Sequence, residues 1–189
     1  MGLLGKGQHP GPLLNLLSSY VNSVVGLRKV QPKEPDLFRQ GLEASARICP
    51  DHFGALINRA YLDRDRPEAM RSLINRLSTL DPDSPWISYL EAYFYLGRGE
   101  RPAAMATFEY CFRLCLEEGV KMLDGAPVPI ISGFFLEPAI EDYIRLGLEQ
   151  DHRLRVRTTL QRLRNYPDPR IRRQAALFLM MLDGGGAQA

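Results

Sequence analysis

Arg66-Pro67-Glu68-Ala69-Met70 returns 35 residues later as Arg101-Pro102-Ala103-Ala104-Met105, and this pair of segments decides how the chain is read. In each copy the proline suits the first turn of a helix, where its missing N–H would have no intrahelical acceptor. Each copy follows a stretch rich in aromatic and small residues, His52 to Leu62 and Pro85 to Leu96. Apolar residues recur there at helical spacing. The unit is helix, short turn, helix, and the chain uses it twice.

Working outward, the same period persists and the alternation of a half-buried strand is almost missing, so the expected fold class is all-α. Upstream, a helix from Asp36 to about Ile48 stops before Pro50. Before it, Pro12 to Leu27 carries an apolar stripe of Leu13, Leu17, Tyr20, Val21, Val24 and Val25, set off by the prolines between Gln31 and Pro35. Downstream, Gly119 to Pro138 lapses into glycine, proline and scattered apolar residues and reads as a loop, centred on 124–136. Three helices are then expected at 137–148, 152–165 and 168–183, the last with Asp168 as N-cap and Pro169 in its first turn. Residues 184–189 read as a disordered tail.

A helix-turn-helix unit with a period near 34 residues resembles the tetratricopeptide repeat. In the first unit Phe53 and Leu56 match the large apolar positions of helix A, Ala69 and Leu73 the small and large positions of helix B, and Pro82 the close. In the second, Ala92 and Tyr95 match on helix A, and Ala104, Phe108 and Cys111 on helix B. Leu42, Ser45 and Pro50 fit the second half of a preceding copy, with Ser45 matching by size only. Ile57 and Arg76 depart from the pattern, standing where it has small residues. The resemblance spans residues 36–118. It implies antiparallel helix pairs stacked as a right-handed superhelix over 35–123, an N-terminal extension (1–34) whose helix caps the stack, and additional C-terminal helices (137–183) packed on the repeats. Asp168-Pro169-Arg170 with Arg172, Arg173, Ala175 and Ala176 is also similar to a single HEAT repeat.

Such stacks hold other proteins. The family's ligand-facing positions fall on Asn58 and Tyr61 in the first unit and on Trp86, Tyr89 and Tyr93 in the second, which implies an aromatic groove for a peptide or helix of a partner protein. Rigid aromatic side chains suit this role because they bury much area for little rotamer entropy. The same residues at the same spacing equally suit a core facing a neighbouring helix. The role expected is that of a scaffold, adaptor or assembly chaperone.

Charge marks a second surface. Residues 151–189 hold eight Arg against three Asp, while residues 1–150 hold 16 basic and 19 acidic residues. Arg153, Arg157 and Arg164 fall on one flank of the helix after His152, Arg155 and Arg162 on another, and Arg170, Arg172 and Arg173 follow on the next helix. Such a patch suits a polyanion or acidic protein, or a merely solvated face. Nucleic acid is disfavoured by a net charge of only +2 and by the few aromatic residues between these arginines.

Other classes are excluded on pattern. With 45% hydrophobic and 24% charged residues the chain has the composition of a folded protein, not a disordered one. Phosphate-binding Gly-rich loops, nucleophile elbows and paired-Cys zinc spacings are missing, so neither enzymatic activity nor a cofactor or metal is expected. His52 and His152 each follow an Asp, and Asp51 and Asp151 read as helix caps. Cys49, Cys111 and Cys115 read as small buried residues of a reducing compartment. No stretch reaches the roughly 18 apolar residues of a transmembrane segment, and the N-terminus is too interrupted for a secretion signal, so a cytoplasmic location is expected. Homodimerisation through the N-terminal helix is the alternative to its capping the stack.

Overall fold

The computed structural model of the chain describes residues 35–63, 66–117, 120–123 and 126–184. The helix expected over 12–27, with its capping and dimerising roles, lies outside these residues, as does the tail from 185. Eight helices and one short hairpin make up the described residues, so the fold is all-helical in its bulk. Contacts divide it into two compact units, Met1–Asp83 and Ser84–Ala189. The boundary between them falls between the two copies of the repeated segment.

The first unit holds α1 (Pro35–Ile48), α2 (Phe53–Leu62) and α3 (Pro67–Leu80). Proline opens α3 at the site where its missing N–H costs nothing. His52 caps α2: its Nδ1 accepts the Ala55 N–H at 3.1 Å. Asp51, expected as a cap, instead pairs with Arg76 at 2.7 Å, tying the start of α2 to the end of α3. That ion pair gives a reason for Arg76 at a position where the resemblance wants a small residue. Leu42 of α1, Ala55, Leu56 and Ala60 of α2, and Met70, Ile74 and Leu77 of α3 are buried, each of the large ones contributing about 1.5–3 kcal/mol. Ser45 is fully buried, as its small size allows. Asp63, buried at the end of α2, accepts from Arg39 at 3.0 Å and from Arg66, joining all three helices.

The second unit holds α4 (Pro85–Gly97), α5 (Arg101–Glu117), a hairpin of β1 (Val120–Leu123) and β2 (Ala126–Pro129), α6 (Gly133–Glu149), α7 (Arg153–Leu163) and α8 (Pro169–Gly184). Consecutive helices pack on one another, and α5 also meets α7 as α6 meets α8. Arg101 at the start of α5 pairs with Glu149 at the end of α6 at 3.3 Å, so these two run antiparallel. A tight turn reverses the chain into α7, which therefore runs parallel to α5. Two helices end in the same way. Gly99 (φ +74°) and Asp151 (φ +56°) each occupy the left-handed position after α4 and α6. Their N–H groups bond Leu96 and Leu148, and the next residues' N–H groups bond Tyr95 and Gly147, closing Schellman motifs. Asp151 thus ends α6, and His152 holds the N-cap position of α7.

The loop expected over 124–136 is corrected at both ends. Val120 pairs with Pro129 and Leu123 with Ala126 in an antiparallel hairpin. Helix α6 begins at Gly133, ahead of Pro138, because Ser132 O accepts the N–H groups of both Phe135 and Leu136 and the turn is held by burial of Leu136. Asp168 caps α8 as expected, its Oδ1 accepting the Arg170 N–H at 2.9 Å, while its Oδ2 accepts the Gly133 N–H of α6 at 3.2 Å.

Candidate functional site

The residues assigned to an aromatic groove divide between the two units. Asn58 and Tyr61 lie half-buried on α2 in the first. In the second, α4 brings Trp86, Tyr89 and Tyr93 together, but as core. Tyr89 is 0% exposed and Tyr93 6%. The ring of Tyr89 stands edge-on to Trp86 at 5.4 Å and to Tyr93 at 5.1 Å, and Phe135 of α6 lies 5.0 Å from Trp86. Tyr93 continues onto Phe108, and Phe112 onto Tyr143. The groove assignment of Tyr89 and Tyr93 is therefore corrected: the early start of α6 supplies Phe135, which covers this face of α4. Trp86 remains half-buried.

A cleft of about 820 Å³ runs between the parallel helices α5 and α7. On α5 the rows Glu109, Arg113, Glu117 and Phe112, Leu116 face it, as i, i+4 spacing on one helix face requires. On α7 the rows Leu154, Thr158, Arg162 and Arg155, Thr159 face back, joined by Asp151 and His152 from the turn before α7. Val156, Leu160 and Leu163 take the buried side of α7. Leu154 is 77% exposed, an apolar side chain held open to water at one end of the cleft.

Its wall is fixed by a polar network. Arg155 grips Glu109 with two bonds, Nε to Oε1 at 2.6 Å and Nη2 to Oε2 at 2.7 Å, the fork geometry that suits a carboxylate. The Tyr143 hydroxyl, from α6 behind them, donates to Glu109 Oε1 at 2.7 Å and stands 3.0 Å from Thr159 Oγ1. Burial pushes the Tyr143 phenol up, with the Glu109 carboxylate adding to the effect and Thr159 opposing it. The bond from Glu109 holds the Arg155 guanidinium above its ordinary value. Each charge here has a partner, so the network holds two helices at a fixed spacing.

The arginines predicted as a basic surface fall into two sets. Arg157 faces Asp183 at 3.4 Å and Arg153 donates to Leu182 O, so both fasten α7 to the end of α8. Arg172 donates to Tyr166 O at 3.0 Å and Pro167 O at 2.7 Å. Arg164, Arg170 and Arg173 are exposed, as is Arg162, which the sequence placed on the opposite flank.

Among the described residues no group of three or more potential metal-ligating side chains is present, and no helix is long and apolar enough to cross a membrane. Cys49, Cys111 and Cys115 are free and buried. The bond from Cys115 and burial push the Cys111 thiol well up, and its Sγ lies 3.7 Å from Pro85 O, so it stays a protonated packing group. Comparison with protein-family models, with curated proteins and with solved structures gives no match for this chain.

Proposed function

We propose that this chain is a protein-binding module of the tetratricopeptide-like kind, and that it takes a segment of a partner protein in the α5–α7 cleft. The observation that carries the reading is the cleft itself, with Leu154 exposed at one end and a wall fixed by Arg155, Glu109 and Tyr143. An elongated cleft along two parallel helices, lined by apolar side chains (Phe112, Leu116, Leu154) among charged and polar ones, suits an extended peptide or a helix better than a compact small molecule. The resemblance supports the same class of function, since helix pairs each packed on the next and the next but one are how such repeats stack. In this reading the tetratricopeptide positions Tyr89 and Tyr93 hold successive helices together, and the partner meets α5 and α7 instead.

A display library of random peptides panned against the full chain tests this. Selected peptides should lose about tenfold or more in affinity on Leu154→Asp, a substitution at an exposed site that leaves the far-ultraviolet circular dichroism unchanged. Peptides that bind Leu154→Asp and the native chain equally would place recognition elsewhere.

A further inference from the structure

We propose that the partner segment carries a run of carboxylates next to its apolar anchor, and that this run lies over the turn joining α7 to α8; the proposal rests on the cleft reading above. Four of the eight arginines beyond residue 150 are consumed internally: Arg155 by Glu109, Arg157 by Asp183, Arg153 by the Leu182 carbonyl and Arg172 by those of Tyr166 and Pro167. The other four, Arg162, Arg164, Arg170 and Arg173, are exposed, and none of them makes a side-chain hydrogen bond or ion pair with another described residue. All four belong to the last turn and cap of α7 or the first turns of α8. Topology thus gathers them at one end of the helix pair.

The frame that carries them is rigid. The Asn165 and Tyr166 N–H groups bond Arg162 O and Leu163 O, and the buried Tyr166 hydroxyl donates to Ile131 O at 2.9 Å. Asp168, the acid between the two helices, spends both its oxygens on the backbone N–H groups of Arg170 and Gly133. It forms no ion pair with the arginines around it. Four like charges held on a fixed turn repel one another, and a ligand bearing the opposite charge relieves that repulsion.

Continuity with the cleft fixes where such a ligand comes from. Arg162 lines the cleft at the end away from Leu154; Arg164 follows on the other flank of the same turn of α7, and Arg170 and Arg173 open α8 just after it. A segment seated on Leu154 and running along α7 reaches this turn next. Carboxylates suit the site because each guanidinium can take one through two parallel bonds. Nucleic acid fits less well, because Tyr166, the aromatic residue between the two arginine pairs, is 0% exposed and offers no face for a base to stack on.

The peptides selected above, and a single-stranded DNA oligonucleotide as a second probe, decide the matter by fluorescence anisotropy on the full chain. Expected results are enrichment of Asp and Glu to one side of an apolar anchor and a steep loss of affinity with added salt. Charge reversal of Arg162, Arg164, Arg170 and Arg173 to Glu should cost about a hundredfold or more, with the melting temperature kept. Peptides that need Leu154 yet show no acidic bias and ignore the four reversals would overturn this proposal and leave the cleft reading standing. DNA that outcompetes the acidic peptides through the same arginines would overturn it in favour of nucleic acid. Selected peptides indifferent to both Leu154 and the arginines would remove the cleft reading and this proposal together.

Discussion

A Cβ placed on Gly147 would stand less than 3.0 Å from Cγ2 of Val156, the buried valine of α7 that follows the turn. Glycine inside a helix ordinarily costs about 0.5–1 kcal/mol relative to alanine, so a stabilising Gly→Ala exchange is the usual outcome. Here the closeness of α6 to α7 reverses the sign.

Gly147→Ala should therefore destabilise the chain by about 1–3 kcal/mol in urea denaturation. Val156→Ala removes the clashing carbon, so the double variant should be more stable than the sum of the two single losses implies. Strict additivity, or a gain from Gly147→Ala alone, would show that the helices are not in this contact.

Tyr89 separates the groove from the core. With its ring enclosed by Trp86, Tyr93 and Phe135, Tyr89→Ala should cost about 3–5 kcal/mol and lower the melting temperature accordingly. Trp86→Ala, at a half-buried site, should cost less. A variant that keeps full stability at Tyr89 would return that residue to the surface and the groove assignment with it.

The difference between Tyr89 as read and Tyr89 as found shows where sequence reasoning stops. Helices α1 to α5 and α8 were legible because their signals are local: proline in a first turn, Asp168 as a cap, apolar residues at 3.6 spacing. The buried face of α7, Val156, Leu160 and Leu163, was legible for the same reason. Phe135 was not, because it lies just before Pro138 in a stretch dominated by loop-forming residues, and the early start of its helix rests on the packing of Leu136 and Phe135 against residues distant in sequence. The α5–α7 cleft had no local signal, since Glu109 and Arg155 are 46 residues apart and their pairing follows from α6 returning between their helices. Likewise the flanks of α7 could be assigned, but not which arginines would find a partner.

Asp168 should matter to two helices at once. Its Oδ1 and Oδ2 satisfy backbone N–H groups at the starts of α8 and α6, where a negative charge also meets the positive ends of both helix dipoles. Asp168→Ala should cost about 2 kcal/mol, twice the loss of a typical single cap, and Asp168→Asn an intermediate amount because one acceptor oxygen remains. Hydrogen exchange would check the assignment directly: the first-turn amides of both helices should lose protection in the alanine variant. Loss confined to α8 would rule out the second bond.

Asp151 and Gly99 occupy the same left-handed position in the same motif, one with a side chain and one without. Asp151→Gly removes the steric penalty and should stabilise the chain by up to about 1 kcal/mol in urea, whereas Asp151→Val should destabilise it. A loss of stability in the glycine variant would mean that the Asp151 carboxylate does more than end the helix.

His52 gives the first unit a dependence on pH. Its Nδ1 must be unprotonated to accept the Ala55 N–H, and burial lowers its pKa from the ordinary value of 6.5. The unfolded chain therefore takes up a proton on His52 at a higher pH than the folded chain does. The stabilisation is fully present above the unfolded value, declines as pH falls from there, and is gone once pH has passed through the lower folded value. Replacing His52 with Asn keeps an acceptor at the N-cap and removes the titration. Urea midpoints of the native chain should fall relative to those of His52→Asn as pH goes from about 7.5 to 5, a range in which few carboxylates change charge. A constant difference across that range, or a native chain that gains on the variant in acid, would show that the imidazole does not cap α2 in its neutral form.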